Sequence, residues 1–250
     1  MKRFQIAILM AAILCATGLI GKDFPFVAFV ALAFLFVAGL GVAVPEFRFF
    51  GDFVCRGSLA KRQVALTFDD GPDARSTPQL LELLRNEKIS AAFFCIGKHV
   101  VENPSLAAQI VREGHLIGNH SFAHSNLTNF YSTRRLQKEL AETQNAIEKA
   151  AGIAPIFFRP PVGLSNPNTF RAAEKLNLKV IGWSVRSFDT VLREPKRIVS
   201  RIVREIHPGA IILLHDGNMG AGKLIETVKS LLDELRKSGY EIVRLDEILK

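Results

Sequence analysis

The sequence predicts an α/β fold, a small or incomplete β/α barrel of about seven strands behind one or two N-terminal helices of membrane-spanning length. Three observations predict it. From residue 63 to the end of the 250-residue chain, short apolar runs alternate with amphipathic helical ones. The strand-like runs are continuously apolar, the pattern of parallel strands covered by helices on both faces. Residues 4–20 and 24–44 contain no charged side chain. About seven strands over residues 63–250 suit a small barrel, with an open doubly wound sheet as the alternative.

At the N-terminus, residues 4–20 give 17 uncharged residues and 24–44 give 21, separated by Gly21-Lys22-Asp23. A helix needs ~20 apolar residues to cross the hydrocarbon core. Two readings compete: a helical hairpin turning at Gly21-Lys22-Asp23, or a cleaved signal peptide followed by one span. The small-x-small cleavage candidate Ala16-Thr17-Gly18 is followed by further apolar residues rather than a polar start, which favours two spans. Residues 1–45 are therefore expected to form a membrane anchor, 46–62 a linker and 63–250 the α/β domain. Lys2 and Arg3 favour a cytoplasmic N-terminus, and Arg48, Arg56, Lys61 and Arg62 follow the second span. A hairpin places the domain on the cytoplasmic side; one span, or removal of the first segment, places it outside.

Within the domain, residues 63–68 form a strand ending in two aspartates. Thr77, with Pro78 after it, starts a helix to about Lys88. Residues 90–96 are a buried strand, Asn103-Pro104 opens a helix to Glu113, and 115–119 is the third strand. Ser132 or Thr133 caps a long helix that stops at Gly152. Strands follow at 156–159 and 179–185 around a helix at 168–176. A helix at 194–206 leads to the strongly apolar strand 210–215, a helix at 221–237, a strand at 240–244 and a short final helix.

Composition narrows the class. With 48% hydrophobic and 22% charged residues the chain is not disordered, and its mean hydropathy of +0.20 owes much to residues 4–44. Cys15, Cys55 and Cys95 are too few and too irregular for a disulfide framework or a CxxC zinc site, and read as small buried hydrophobes. The net charge is +8, of which residues 56–250, with 28 basic and 21 acidic side chains, carry +7. Basic residues are interleaved with glutamates, as in Arg134-Arg135…Lys138-Glu139, and no nucleic-acid motif is present. A nucleic-acid partner is not expected.

Chemically capable side chains gather at the C-terminal ends of the predicted strands. Asp69 and Asp70 end the first, His120 with His124 the third and Arg159 the fourth; Asp189 follows the fifth, and His215-Asp216 ends the sixth. Parallel β/α folds build their sites on that rim. His120 and His124 are four apart, so on a helical turn they would share a face and could bind one ion. Two histidines and one carboxylate with open positions suit catalytic Zn²⁺, or Co²⁺, Ni²⁺, Fe²⁺ or Mn²⁺. Adjacent Asp69 and Asp70 point in different directions at a strand end, so one can hold an ion while the other faces its water.

Thr67-Phe68-Asp69-Asp70-Gly71-Pro72, His120-Ser121-x-x-His124, Arg159-Pro160-Pro161-x-Gly163 and Leu213-Leu214-His215-Asp216 resemble the successive motifs of polysaccharide deacetylases. This is the NodB-homology domain of carbohydrate esterase family 4. The resemblance covers about residues 60–250 in the right order. It implies a distorted (β/α)7 barrel of NodB type. It implies Asp70, His120 and His124 as metal ligands. Asp69 would be the general base, held and kept ionised by Arg159. His215 would be the acid that protonates the leaving amine, with Asp189 raising its pKa. Pro161 and Val162 would lie at the substrate, the Val162 N–H donating to the oxyanion, and Leu213 would line a slot for the acetyl methyl.

Three positions depart from the family pattern, the first being Val162, where the family often has an aromatic. Its fourth motif often reads W-x-x-D-x-x-D-W, and here Arg186 replaces an acid and Thr190 a tryptophan, which removes groove walls for sugar rings. Trp183 reads as core. The expected activity is metal-dependent removal of N-acetyl groups from amino sugars of a glycan or glycolipid, at a membrane of a bacterial-type cell envelope. A deformylase or deacylase of a lipid-linked sugar is one alternative, and a catalytically silent, membrane-tethered glycan-binding domain is another. The sequence assigns no oligomeric state.

Overall fold

The structure is a computed structural model that describes residues 2–250. Helices α1 (Lys2–Ile20) and α2 (Phe24–Ala43) pack against each other across a turn in which Lys22 takes φ 56°. Asp23 caps α2 by accepting a hydrogen bond from Phe26 N at 3.0 Å. Both helices are long and apolar enough to cross a membrane, and side chains such as Leu9, Met10, Leu32, Leu35 and Phe36 point outward. A signal sequence would have the same features at this position.

Part of the stretch expected as a linker is core. Phe49, Phe50, Phe53, Val54 and Cys55 are all buried, in clusters with Phe158, Phe170 and Ile181. Val54 forms a parallel bridge with Ile181, and Arg56 an antiparallel one with Ala210. Three phenylalanines among residues 49–53 cannot be left in water at small cost, and the sequence-based boundary at 63 overlooked them. Burial pushes the Cys55 thiol up to about 12, so it behaves as a small hydrophobe. Phe53 is 1% exposed, and Phe53→Ala is expected to destabilise the protein by about 3–5 kcal/mol. Thermal melting checks this, and an unchanged midpoint would return residues 46–62 to the role of a passive linker.

From β1 (Gln63–Asp69) the chain winds α3 (Thr77–Asn86), β2 (Ala92–Cys95), α4 (Gly97–Glu102), α5 (Pro104–Arg112) and β3 (Leu116–Asn119). Then come α6 (Thr133–Ala151), β4 (Phe157–Phe158), α7 (Pro167–Glu174), β5 (Lys179–Val180), β6 (Val185–Arg186), α8 (Asp189–Leu192) and α9 (Pro195–Glu205). It ends with β7 (Ala210–His215), α10 (Ala221–Lys237), β8 (Glu241–Ile242) and α11 (Leu245–Ile248). The sheet order is β5-β4-β3-β2-β1-β7-β6, with β8 on β1, and every pairing between strands is parallel. The helix α6 runs from a Ser132 cap, whose hydroxyl accepts from Arg135 N, to Gly152 at φ 73°.

The strand expected at 179–185 is split. Its first part pairs with β4 at one edge of the sheet and its second with β7 at the other. Only residues 181–184 lie between, so the two edges must lie within their reach and the sheet curls into the distorted barrel. At the crossing Gly182 lies flat on Phe53 and Cys55, where a Cβ would come within 2.4 Å of the Phe53 ring. Alternation along the strands separates two cores. Val64, Leu66 and Phe68 face the helices, whereas Ala65, Ala92, Phe94 and Ile211 fill the barrel. Thr67 and Asp69 share the parity of Ala65, so the barrel axis leads to the polar rim.

Candidate active site

Asp70, His120 and His124 come together at that rim, with ligand-type atoms all within 4.8 Å of one another. Asp70 follows β1 at φ 74°, which turns its carboxylate away from the direction of Asp69. His120 follows β3, and its Nδ1 donates to the Arg159 carbonyl at 2.7 Å. That bond fixes the tautomer and turns Nε2 toward Asp70 Oδ1 at 3.5 Å. His124 Nε2 lies 3.4 Å from the same oxygen. The two imidazoles are not on a helical turn, as their spacing suggested. A loop brings them together, with Ser121 at φ 63° and His124 at φ 48°, and their ring centroids are 4.8 Å apart. Glu139 on α6 braces this loop by accepting from Phe122 N (3.2 Å) and Ala123 N (2.9 Å).

These donors fit a divalent ion. Asp70 Oδ2 accepts from the Asn218 amide at 2.7 Å, but Oδ1 is buried with no hydrogen-bond partner while facing two imidazole nitrogens. An orphaned buried carboxylate oxygen is costly unless a cation meets it. Burial alone would raise the Asp70 pKa, but the approach of His120 and the charges of His120, His124 and His215 outweigh it and hold the carboxyl well below the usual range. Burial and repulsion from His120 push His124 down, toward the neutral imidazole a metal requires.

Asp69 and His215 face each other across this cluster, at register-matched positions on β1 and β7. Asp69 Oδ1 accepts from Arg159 Nη1 at 2.7 Å, leaving Oδ2 3.7 Å from His120 Nε2. Arg159 is fully buried inside the barrel; it also donates to Thr67 Oγ1 and to the Gly182 carbonyl, both at 2.8 Å, and stacks 4.1 Å over the Phe94 ring. His215 Nδ1 donates to Asp189 Oδ1 at 2.7 Å, and His215 N donates to Asp189 Oδ2 at 2.8 Å. Burial pushes His215 down, but the Asp189 hydrogen bond and charge, with Asp69 and Asp70, more than offset it and leave the pKa raised. Asp216 points elsewhere. It accepts from Ser76 Oγ at 2.5 Å and from Thr77 Oγ1, and burial raises its pKa to about 6. Thr77 therefore ties β7 to α3.

The pocket above these groups has a volume of about 200 Å³ and is lined by Val162, Gly163, Trp183, Leu213 and His215, among others. Pro161, expected at the substrate, is buried and does not line the pocket; the exposed residue of that turn is Val162, at φ 61°. Gly163 combines φ 73° with contact against Trp183, where a Cβ would approach to 2.0 Å, so no other residue fits. Trp183 packs against the core, as its sequence reading has it, and also forms pocket wall. His99 is half-buried with Nδ1 2.7 Å from the Asp70 carbonyl. Asn218, Glu139 and His99 carried no motif signal, because each reaches the site from a distant element.

The polysaccharide deacetylase family matches residues 56–181. A peptidoglycan-N-acetylglucosamine deacetylase of Bacillus cereus is 37% identical over 189 residues, covering 75% of this chain and 88% of that protein. The peptidoglycan-N-acetylmuramic acid deacetylase PdaC of Bacillus subtilis is 34% identical over 189 residues, covering 75% of this chain and 39% of PdaC. Among solved structures, a mutant carbohydrate esterase family 4 pseudoenzyme with restored enzymatic activity matches with a TM-score of 0.74 at 31% identity. That match covers 80% of this chain and 71% of the other, and the parent pseudoenzyme is from Bacillus anthracis.

Proposed function

The chain belongs to the polysaccharide deacetylase family, and from that membership we propose that it hydrolyses N-acetyl groups on amino sugars of a peptidoglycan-type glycan. Asp70, His120 and His124 would hold a divalent ion, Zn²⁺ first and Co²⁺, Ni²⁺, Fe²⁺ or Mn²⁺ as alternatives, which supplies a lowered water pKa and Lewis-acid polarisation of the carbonyl. The acetamido group enters with its methyl against Leu213. Asp69 Oδ2 takes the proton of the attacking water while Arg159 holds the other oxygen in place. The Val162 N–H donates to the developing oxyanion. His215, held at Nδ1 by Asp189, gives the proton on Nε2 to the amine nitrogen as the C–N bond breaks. The products are acetate and the free amino sugar.

The observation that carries this reading is the orphaned Asp70 Oδ1 between two imidazoles, with a carboxylate base and a carboxylate-paired histidine on either side. A silent binding domain has no use for such a set, although silent relatives with this fold exist. Elemental analysis of the purified protein, with acetate release from N-acetylated glycan strands before and after chelation, tests the proposal. Bound metal with no acetate from any N-acetylated glycan would refute the deacetylase reading and leave the lipid-linked deformylase or deacylase and the silent domain.

Residues 1–45 are proposed as a membrane anchor, and the burial of Phe49–Cys55 supports a catalytic domain that begins near residue 49. After an alkaline carbonate wash the full-length protein is expected in the membrane pellet. Recovery in the supernatant would refute the anchor.

A further inference from the structure

We infer that a strip of cations runs from the mouth of the catalytic pocket to the outer face of α9, and that it binds carboxylate or phosphate substituents on the same glycan. This rests on the deacetylase reading of the pocket and goes beyond it, since it makes the preferred substrate an anionic N-acetylated glycan rather than a neutral one.

The strip begins at Arg186, which lines the pocket and is exposed. Its guanidinium lies over aromatic rings, 4.7 Å from the centroid of Phe188 and 5.8 Å from that of Trp183. Among the described residues no carboxylate pairs with it. Arg201 of α9 continues the strip: its guanidinium lies 4.2 Å from the same Phe188 ring, and its Nε donates to the Arg186 carbonyl at 3.1 Å. Two guanidiniums on one ring, with Arg201 also tied to the Arg186 backbone carbonyl, make the pocket mouth and α9 one continuous surface.

Beyond Arg201 lies a groove of about 420 Å³ bordered by Leu192, Lys196, Arg197, Ser200, Arg201 and Arg204. Helix α9 buries Ile198, Val199 and Ile202 and turns its cations outward. Two of these have carboxylates of their own, Arg201 with Glu205 at 3.0 Å and Arg197 with Glu194 at 3.9 Å. Lys196 and Arg204 have none within ion-pair distance among the described residues, although Lys196 also borders a neighbouring groove with Asp233 and Glu234 of α10. Arg197 and Arg201 are four apart, where like charges on a helix repel, and a bound anion relieves that repulsion. Most of the strip is arginine, whose planar fork suits bidentate carboxylate or phosphate recognition. An anionic membrane surface is the rival occupant. Continuity with the pocket favours the glycan, as does the placement of α1 and α2, which rest on the Phe49–Phe50 cluster while α9 packs on β6 and α10.

The test measures equilibrium binding by the full-length Asp69→Asn protein in neutral detergent, so that the ligands stay intact. Four glycans of matched length serve as probes: N-acetylglucosamine oligomers, peptide-free strands carrying N-acetylmuramic acid, the same strands with carboxylates reduced to alcohols, and phosphorylated N-acetylglucosamine oligomers. The expected result is a preference for one anionic probe over its neutral counterpart that weakens with added salt. The same preference should fall about tenfold in Arg186→Ala and in the Arg197→Ala/Arg201→Ala double variant, with partial retention in Arg186→Lys. Whichever anionic probe binds tighter identifies carboxylate or phosphate as the substituent. Equal affinity for neutral and anionic probes, or an undiminished preference in both alanine variants, overturns the strip. Unchanged glycan preference, with loss of a rate response to anionic lipid in reconstituted vesicles when the Arg197→Ala/Arg201→Ala pair is placed in the protein that keeps Asp69, overturns it in favour of a lipid surface. Acetate release by the unmutated protein is scored separately, so failure of the strip and failure of the deacetylase reading remain distinguishable.

Discussion

Asp69→Asn is expected to keep its bound metal and lose about 10²–10⁴-fold in kcat, whereas Asp70→Ala, His120→Ala and His124→Ala lose metal and turnover together. The distinction follows from where the two aspartates point. Asp70 Oδ1 lies 3.5 and 3.4 Å from the Nε2 atoms of His120 and His124, as a third ligand should. Asp69 is committed through Oδ1 to Arg159 and offers only Oδ2 toward the cluster. An amide at position 69 keeps an oxygen for Arg159 but cannot take a proton from water. It also leaves a fully buried guanidinium facing a neutral group, so a lower melting temperature should accompany the loss. Elemental analysis, kcat and thermal melting on the same four preparations decide the matter. A metal-free Asp69→Asn protein, or one that still turns over, would reverse the roles of the two aspartates.

Asp189→Asn should have the next largest effect, on both the size and the pH dependence of the rate. Asp189 is fully buried and accepts from His215 Nδ1, from the His215 backbone N and from Ser187 Oγ at 2.7, 2.8 and 2.8 Å. Its charge favours the imidazolium, which is why the His215 pKa stands above its ordinary value despite burial. The protonated acid therefore survives to higher pH, and the basic limb of the kcat/KM profile reports its loss. Without the carboxylate the imidazolium deprotonates at lower pH, so the basic limb should move to lower pH. The neutral amide also no longer stabilises the charged ring, so kcat should fall by about 10²-fold or more. Rate profiles of the parent and Asp189→Asn proteins from pH 5 to 10 are the measurement. If only stability fell and the limb stayed in place, Asp189 would be a loop brace and not the partner of His215. Asp216 is no substitute, because its carboxyl is engaged by Ser76 and Thr77.

The sequence by itself determined the alternation of strand and helix, and with it the rim at which Asp69, Asp70, His120, Arg159, Asp189 and His215 meet. Apolar strand runs and their polar ends are local signals, because a parallel strand is covered on both faces and its C-terminal end is where the chain leaves the core. Matching motifs in the right order then assigned roles to those residues. Tertiary structure decided what depends on residues far apart in the chain. It turned the predicted 179–185 strand into β5 and β6, since an edge residue's pairing partner is not encoded near it. It drew Phe49–Cys55 into the core, because a short apolar run after two apolar helices has no period to distinguish strand from linker. The His120–His124 pair shows the same limit at smaller scale: spacing suggested a helical face, but left-handed residues and the Glu139 brace from α6 set the geometry. Asn218 and His99 reach Asp70 only through the folded barrel, and Arg186 joins Arg201 only because both lie on one aromatic ring. Local physics writes elements and motifs into the sequence; side-chain partnerships across the barrel exist only once the sheet has curled.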